Sequence, residues 1–326
     1  MLHVRCGHDI QPTLVEAGIT GEYLAWVDPL AQGPTPAHVE GEAWYDVRSR
    51  FIATAYGEQA DDVRRQLTSM DHRLAGFRDV RDVVLWFEHD LFDQAILARL
   101  LSWFSTRDLG ATRLSLVTLS AHPTGERFFG LGSLGPEQLR AIFPSRVPVT
   151  VEMLMAGART WAAFRRPEPL ALDAIVKEKR LALPFASAAM RRHLQELPWV
   201  RDGLSLTERL VLGALVDGPL TAAETFGAVQ AAEEAPWMGD IMLYHVVAKL
   251  AAEPMPLLSS RLPWPEAKGS YGDSELRLTP EGDSVLDERR DAVELRGIQR
   301  WVGGVELVGP AAAWHWNERE SRPERN

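Results

Sequence analysis

The chain has 326 residues, 46% hydrophobic and 25% charged, the balance of an ordinary globular protein with room for two cores. Its net charge of −10, from 35 basic and 45 acidic side chains, argues against broad electrostatic attraction to nucleic acid or an anionic membrane. A single cysteine, Cys6, excludes an intrachain disulfide and fits a reducing cytosol. No run approaches the ~18 apolar residues of a membrane span. Met1-Leu2-His3-Val4-Arg5 lacks the basic segment and long apolar core of a signal peptide, so a cytoplasmic location is expected.

Leu2 to Cys6 reads as a strand ended by Gly7, with Cys6 a small buried hydrophobe rather than a nucleophile. Asp9 is placed to cap a helix from Ile10 to Ala17, because its carboxylate can accept the free amide hydrogens of the first turn. Glu22 to Val27 is the next strand, running into Asp28-Pro29 and a turn at Gln32-Gly33-Pro34. Two amphipathic helices follow, Gly41 to Tyr56 and Ala60 to Leu74; in the second, Val63, Leu67, Met70 and Leu74 recur at helical spacing. Val83 to Phe87 is a continuous apolar run, the pattern of a strand buried on both faces. It stops at Glu88-His89-Asp90, where a helix from Leu91 to Phe104 begins. Arg113 to Leu119 is a further strand and ends in Ser120-Ala121-His122-Pro123. Strands alternating with helices predict an α/β, Rossmann-like domain over residues 1–134, with a doubly wound, mostly parallel sheet.

Phe128 to Leu134 is rich in glycine and aromatics. Its Gly130-Leu131-Gly132 neither follows a strand directly nor completes GxGxxG, and reads as a plain loop. Residues 135–200 form a helical bridging segment, cut by Pro144, Pro148, Pro167, Pro169 and Pro184, with Trp161 and Phe164 in a core. Residues 201–317 form the last domain. Ser205 and Glu208 fit a capping box for a helix from Leu206 to Val216; Thr221 caps a second, to Ala232, and Met238 to Ala252 is a third. Extended segments at Leu257-Leu258 and Glu275–Leu278 flank a turn-rich loop, Pro263 to Asp273, and Thr279-Pro280-Glu281-Gly282 opens a final helix. Three helices followed by a two-stranded wing are the order of a winged-helix domain. The polar tail, residues 318–326, is expected to fray.

Several segments resemble an uncharacterised bacterial family, domain of unknown function 1835. They are Val83–Gln94, Gly7-x-Asp9 with its helix, Asp28-Pro-x-x-Gln-Gly-Pro34, Phe129–Gly132 and Arg300–Val305 with the trailing Trp314 and Trp316. Some members carry Gly-Asp-Ser where this chain has Gly7-His8-Asp9. The resemblance covers nearly the full length and brings no activity with it.

In open parallel sheets ligands bind beyond the carboxyl ends of the strands. Four strands here end in polar groups: His8 and Asp9; Asp28; Glu88, His89 and Asp90; and His122. Such imidazoles and carboxylates can ligate a divalent metal or share acid–base work. The expected roles are His89 as acid, base or ligand, Glu88 and Asp90 orienting it or holding metal, and Asp9 and Asp28 completing the site. Helix capping is the competing explanation for Asp9 and Asp90, and Asp93 would lie in the first turn for the same dipole reason. The same helix starts suit a phosphoryl or nucleotide ligand if a divalent cation bridges it to the carboxylates. No HExxH, GxSxG or P-loop is present.

The competing class is a DNA-binding or ligand-responsive regulator, whose third helix would present Asp240, Tyr244, His245 and Lys249, with Arg261, Lys268 and Arg277 on the wing. Residues 201–326 carry 13 basic and 21 acidic side chains, the wrong balance for a DNA-reading face. A small-molecule ligand, with the last domain used for packing, a protein partner or self-association, is the preferred reading. Trp237, Trp264, Trp301, Trp314 and Trp316 are then core or interface residues.

Overall fold

The computed structural model describes residues 1–261, 264–265 and 271–325. Five strands, β1 (Leu2–Cys6), β2 (Glu22–Trp26), β3 (Asp82–Trp86), β4 (Arg113–Val117) and β5 (Val147–Pro148), form one sheet in the order β2-β1-β3-β4-β5. All pairings are parallel except that of β5, which runs antiparallel to β4. Val83 and Leu85 enter one apolar core with Leu2, Val4, Leu114 and Leu116, while Val84 and Trp86 enter a second with Ile10, Leu14 and Leu139. Alternation along a strand covered on both faces thus explains the unbroken apolar run.

The first core is closed by α2 (Glu42–Tyr56), α3 (Ala60–Ala75) and α4 (Leu91–Ser105), the second by α1 (Gln11–Glu16) and α5 (Pro136–Ile142). The helices α6 (Val151–Phe164), α7 (Leu170–Val176) and α8 (Ala186–Leu194) continue the chain, and α6 and α8 pack on α4. Because α4 lies between the sheet and these helices, most of its circumference is buried, which is why its sequence is apolar beyond one stripe. The chain leaves β1 for β2 on one side and returns to β3 on the other. The carboxyl ends of β1 and β3 therefore form a topological switch point, the position where ligands settle in open parallel sheets.

The C-terminal part contains α9 (Leu206–Gly213), β6 (Leu220–Thr221), α10 (Ala222–Ala232), α11 (Asp240–Leu250), β7 (Leu258–Ser260), β8 (Glu275–Leu278), α12 (Pro280–Leu286) and α13 (Ala292–Arg296). The capping boxes at Ser205/Glu208 and Thr221/Glu224 form, and β6, β8 and β7 make a small antiparallel sheet. Two hairpins follow, β9 (Ile298–Val302) with β10 (Val305–Gly309) and β11 (Trp314–Asn317) with β12 (Arg322–Arg325). Helix α11 is docked on α2. The His245 ring lies 6.1 Å from those of Phe51 and Tyr56, the Gln32 amide donates to Met242 O at 3.4 Å, and Trp264 Nε1 donates to Ala55 O at 2.9 Å.

Four expectations need correction. Asp9 does not cap α1: Ile10 occupies the cap position without a side-chain bond, because the Asp9 carboxylate is held by Arg5 instead. The bridging segment is not wholly helical, since Val147–Pro148 extends the sheet as an edge strand, where proline's missing N–H is tolerated. The helix opened by Thr279 is not the last element, being followed by α13 and two hairpins. The tail does not fray, because Arg322–Arg325 pairs with Trp314–Asn317, and Trp316 in turn exchanges backbone bonds with Pro198 and Val200. Most of the 263–273 loop, Lys268 included, lies outside the described residues. Among the described residues no helix is long and apolar enough to cross a membrane.

Within the helical segment His193 is 1% exposed, its ring 4.2 Å from that of Phe164, and neither ring nitrogen is hydrogen-bonded among the described residues. Burial, assisted by neighbouring Arg192, lowers its pKa from 6.5 to about 3. The unfolded chain therefore binds the proton more readily, so this contribution to stability is complete above pH 6.5 and is lost as pH falls towards 3. Urea titrations between those pH values are expected to show a positive slope of stability with pH, up to about 1.4 kcal/mol per unit, that flattens in His193→Leu. An identical slope in the variant would exclude His193 as its source.

Candidate functional site

The carboxyl end of the sheet is organised by a buried arginine. Arg5 lies on β1 opposite Trp86 of β3, and its guanidinium is enclosed. Nη2 donates to Glu88 Oε1 at 2.7 Å and to Asp9 Oδ2 at 3.0 Å, and Nη1 donates to Asp93 Oδ2. An arginine has no neutral form at ordinary pH and five N–H groups in a fixed fork, so inside a parallel sheet it must gather acceptors.

The turn from β3 to α4 supplies them. Glu88 is the second residue past β3, and its other oxygen accepts the Leu131 backbone N–H. Asp90 caps α4, its Oδ1 accepting from the Asp93 amide at 3.1 Å. Asp93 returns the bond across the turn, accepting the Glu88 amide at 2.6 Å on the oxygen that meets Arg5. Glu88, Asp90 and Asp93 are all buried, and each offers an oxygen within 4.8 Å of the others. Among the described residues Asp90 Oδ2 and Asp93 Oδ1 accept no hydrogen bond.

One guanidinium faces four carboxylates here, so the buried cluster carries more negative than positive charge. Burial, and after it the charge of Asp93, raises Glu88 to about 7. The same two causes in the same order, joined by Glu88, raise Asp90 well above the usual carboxylate range. Burial and then Asp93 also push the Cys6 thiol upward, which keeps it protonated and unreactive. For Arg5, burial works against the charge, but the carboxylates of Asp93, Glu88 and Asp9 outweigh it and hold the proton.

Above this floor is a cleft of about 520 Å³ lined by Cys6, Glu88, Asp90 and Asp93 on the sheet side. Its far side comes from α10 and the segment entering α11, through Phe226, Trp237 and Met238. The loop after β4 contributes Arg127 and Phe129 at its mouth. That loop approaches the floor too closely for side chains. Gly130 has φ +118°, and a Cβ there would lie 2.8 Å from Glu88 Oε1; one on Gly132 would lie 2.8 Å from Asp9 Oδ2.

The residues marked by the strand-end rule separate in space. Glu88 and Asp90 line the cleft, and Asp9 sits beside them as the exposed edge of the Arg5 cluster. His89 does not line it: the ring packs near Phe128 and Phe185, its enclosed Nδ1 has no partner among the described residues, and burial lowers its pKa. His8 is exposed, with Nδ1 3.1 Å from Gln11 Oε1. Asp28 is fully enclosed and is used by Arg48 of α2, at 2.8 Å, and Arg99 of α4, at 3.2 Å, so it ties the end of β2 to two helices. His122 bonds Thr124 and approaches Gln138, anchoring the loop after β4 to α5. Sequence reasoning does not place Arg5 or Asp93 in the site, and the Gly130–Gly132 stretch that it reads as a plain loop lies against Glu88 and Asp9. The available signal was Arg5 itself, a cation in the middle of a short apolar strand, which stays buried only when paired.

Arg5→Met leaves the shared carboxylates buried without their cation, so a loss of about 3–5 kcal/mol in urea unfolding is expected. A loss below ~1 kcal/mol, the scale of a surface ion pair, would show that Arg5 does not organise the cluster. Glu88 binds its proton more tightly folded than unfolded. Its contribution is complete below pH 4.5 and is lost as pH rises through about 7. The stability of the wild type minus that of Glu88→Gln should therefore fall as pH rises through that window, whatever the opposing contribution of His193.

No family model and no curated protein matches the chain. Among solved structures, the DNA-binding, cleavage and re-ligation domain of topoisomerase II from Plasmodium falciparum aligns with a TM-score of 0.44 and 10% identity, over 95% of this chain and 51% of that one. The chain thus spans about half the length of that structure, and a likeness this low carries no argument.

Proposed function

We propose that Glu88, Asp90 and Asp93 bind a divalent cation at the switch point of a doubly wound, Rossmann-like sheet, and that the cation brings a small anionic ligand into the cleft. The observation that carries this reading is the charge imbalance: three buried carboxylates with oxygens within 4.8 Å of one another, served by one guanidinium. A buried excess of negative charge is relieved either by protons or by a cation. The raised pKa values of Glu88 and Asp90 describe the proton-bound state. A divalent ion would replace those protons and use the unoccupied oxygens of Asp90 and Asp93. All-oxygen donors suit a hard cation such as Mg²⁺, Mn²⁺ or Ca²⁺.

Three segments of the resemblance to domain of unknown function 1835 meet at this cluster: Val83–Gln94, Gly7-x-Asp9 and Phe129–Gly132. Their meeting supports assigning the chain to that family and treating those segments as parts of one site. We read the three helices and small antiparallel sheet of the C-terminal part as a winged-helix-like unit used for packing. What supports packing over DNA reading is that α11, the helix that would enter the major groove, already lies on α2. Of the wing residues, Arg277 is paired with Glu275.

Mn²⁺ or Mg²⁺ at 100 times its dissociation constant is expected to add about 2.7 kcal/mol to unfolding stability, read as a rise in melting temperature. Asp90→Asn should abolish the rise, and calorimetry in two buffers should show proton release near pH 7. If no divalent ion from Mg²⁺ to Zn²⁺ moves the melting temperature, the cation reading fails.

A further inference from the structure

We infer that the cleft takes a phosphate ester carrying a flat apolar group, a nucleotide in chemical class, and that the loop after β4 and the C-terminal helical unit together supply the residues that select it. The inference rests on the cation proposed at Glu88, Asp90 and Asp93, and on four features of the mouth and far side of the cleft.

Trp237 lines the cleft, is 6% exposed, and among the described residues its enclosed indole N–H has no hydrogen-bond partner, although a buried indole normally finds one. The Arg192 guanidinium lies 5.5 Å from its ring centre. Phe226 and Met238 flank the indole with apolar surface. Phe129 stands at the mouth with 58% of its surface exposed, so its ring is open to a ligand. Arg127 is fixed beside it: Nη2 donates to the carbonyl oxygens of Gln230, Ala231 and Glu233 at 2.7, 3.0 and 3.4 Å. Its Nε and Nη1 make no hydrogen bond among the described residues, and its guanidinium carbon lies 5.2 Å from the Phe129 ring centre. A helix end therefore holds a guanidinium in place with donors left over, the arrangement suited to an oxyanion.

The cleft thus runs from an anionic floor, past an aromatic wall, to a fixed cation. A phosphate bridging the floor's metal ion and Arg127 would match both charges, and a planar group would lie along Phe129 and Trp237. Without the metal the floor repels phosphate, so binding depends on the cation. An organic amine would suit the floor and the aromatic wall but would meet Arg127 as a like charge.

The test is calorimetry on the full chain with Mn²⁺ alone, then with pyrophosphate and with ADP at saturating Mn²⁺. ADP is expected to bind about 10-fold more tightly than pyrophosphate, the scale of one base stacked on an aromatic side chain, and neither should bind without Mn²⁺. Arg127→Gln should weaken both anions and leave Mn²⁺ binding unchanged. Trp237→Leu should remove the ADP advantage alone; Phe129→Ser, on an exposed side chain, should reduce it and serves if the tryptophan variant does not fold. Mn²⁺ binding with no ADP binding, or with ADP no tighter than pyrophosphate, overturns this inference and leaves the cation reading standing. No Mn²⁺ binding removes the cation reading itself. ADP binding as tightly without Mn²⁺, or spermidine displacing Mn²⁺ while ADP binds nowhere, also overturns it.

Discussion

Burial of Arg5 is the constraint on which the carboxyl edge of this protein depends. Placing a guanidinium inside a sheet covered on both faces costs several kcal/mol of solvation, and only close, well-directed acceptors offset that. One acceptor is near in sequence, Asp9 just after β1, and three come from a single remote stretch: the Trp86 carbonyl within β3, Glu88 after β3 and Asp93 in the first turn of α4. The arginine therefore fixes the start of α4 relative to β1 and sets where the loop at Gly130–Gly132 can pass. Satisfying it also gathers more carboxylates than it can neutralise, and that surplus makes the cluster chemically interesting. A structural requirement and the proposed cation site involve the same residues.

The C-terminal part completes the cleft. Helix α10 and the segment before α11 face the Arg5 cluster, and α11 is packed on α2. The contact of α11 with α2 joins the C-terminal part to the helices over the sheet through His245, Phe51 and Tyr56. The aromatic residues of this unit are consequently best understood by what they face, which for Phe226 and Trp237 is the cleft.

Much of the framework is legible from local pattern. The strands at Leu2, Glu22, Asp82 and Arg113 and the helices α2, α3 and α4 follow from apolar periodicity, and the Ser205, Thr221, Thr279 and Asp90 caps from residue type at a helix start. These features depend on neighbours a few residues away, so the chain itself displays them. The β11–β12 hairpin rests on packing of Trp314 and Trp316 against remote segments, whereas the β9–β10 hairpin does carry a turn signal, Gly303-Gly304 between two apolar runs. Of the site, Glu88 and Asp90 were visible as ionisable groups where a buried strand meets a helix.

The residues' partners were not visible, because ion pairing inside a parallel sheet joins positions far apart along the chain. Asp9 and Asp28 look alike as acidic residues following a strand, yet Arg5 holds one at the cleft while Arg48 and Arg99 seal the other away from it. Asp93 looks like a residue serving the helix dipole, and becomes the carboxylate shared by Arg5 and the Glu88 amide. His89 looks central and is turned toward aromatic rings. The amino-acid sequence by itself determined the α/β framework, the acidic strand–helix junction and the burial of Val83–Phe87, since these follow from local hydrophobic order. Which carboxylates converge, which are neutralised and what faces them across the cleft was decided only by the tertiary structure, since strand order and helix docking alone bring Arg5, Glu88, Asp93 and Trp237 to one place.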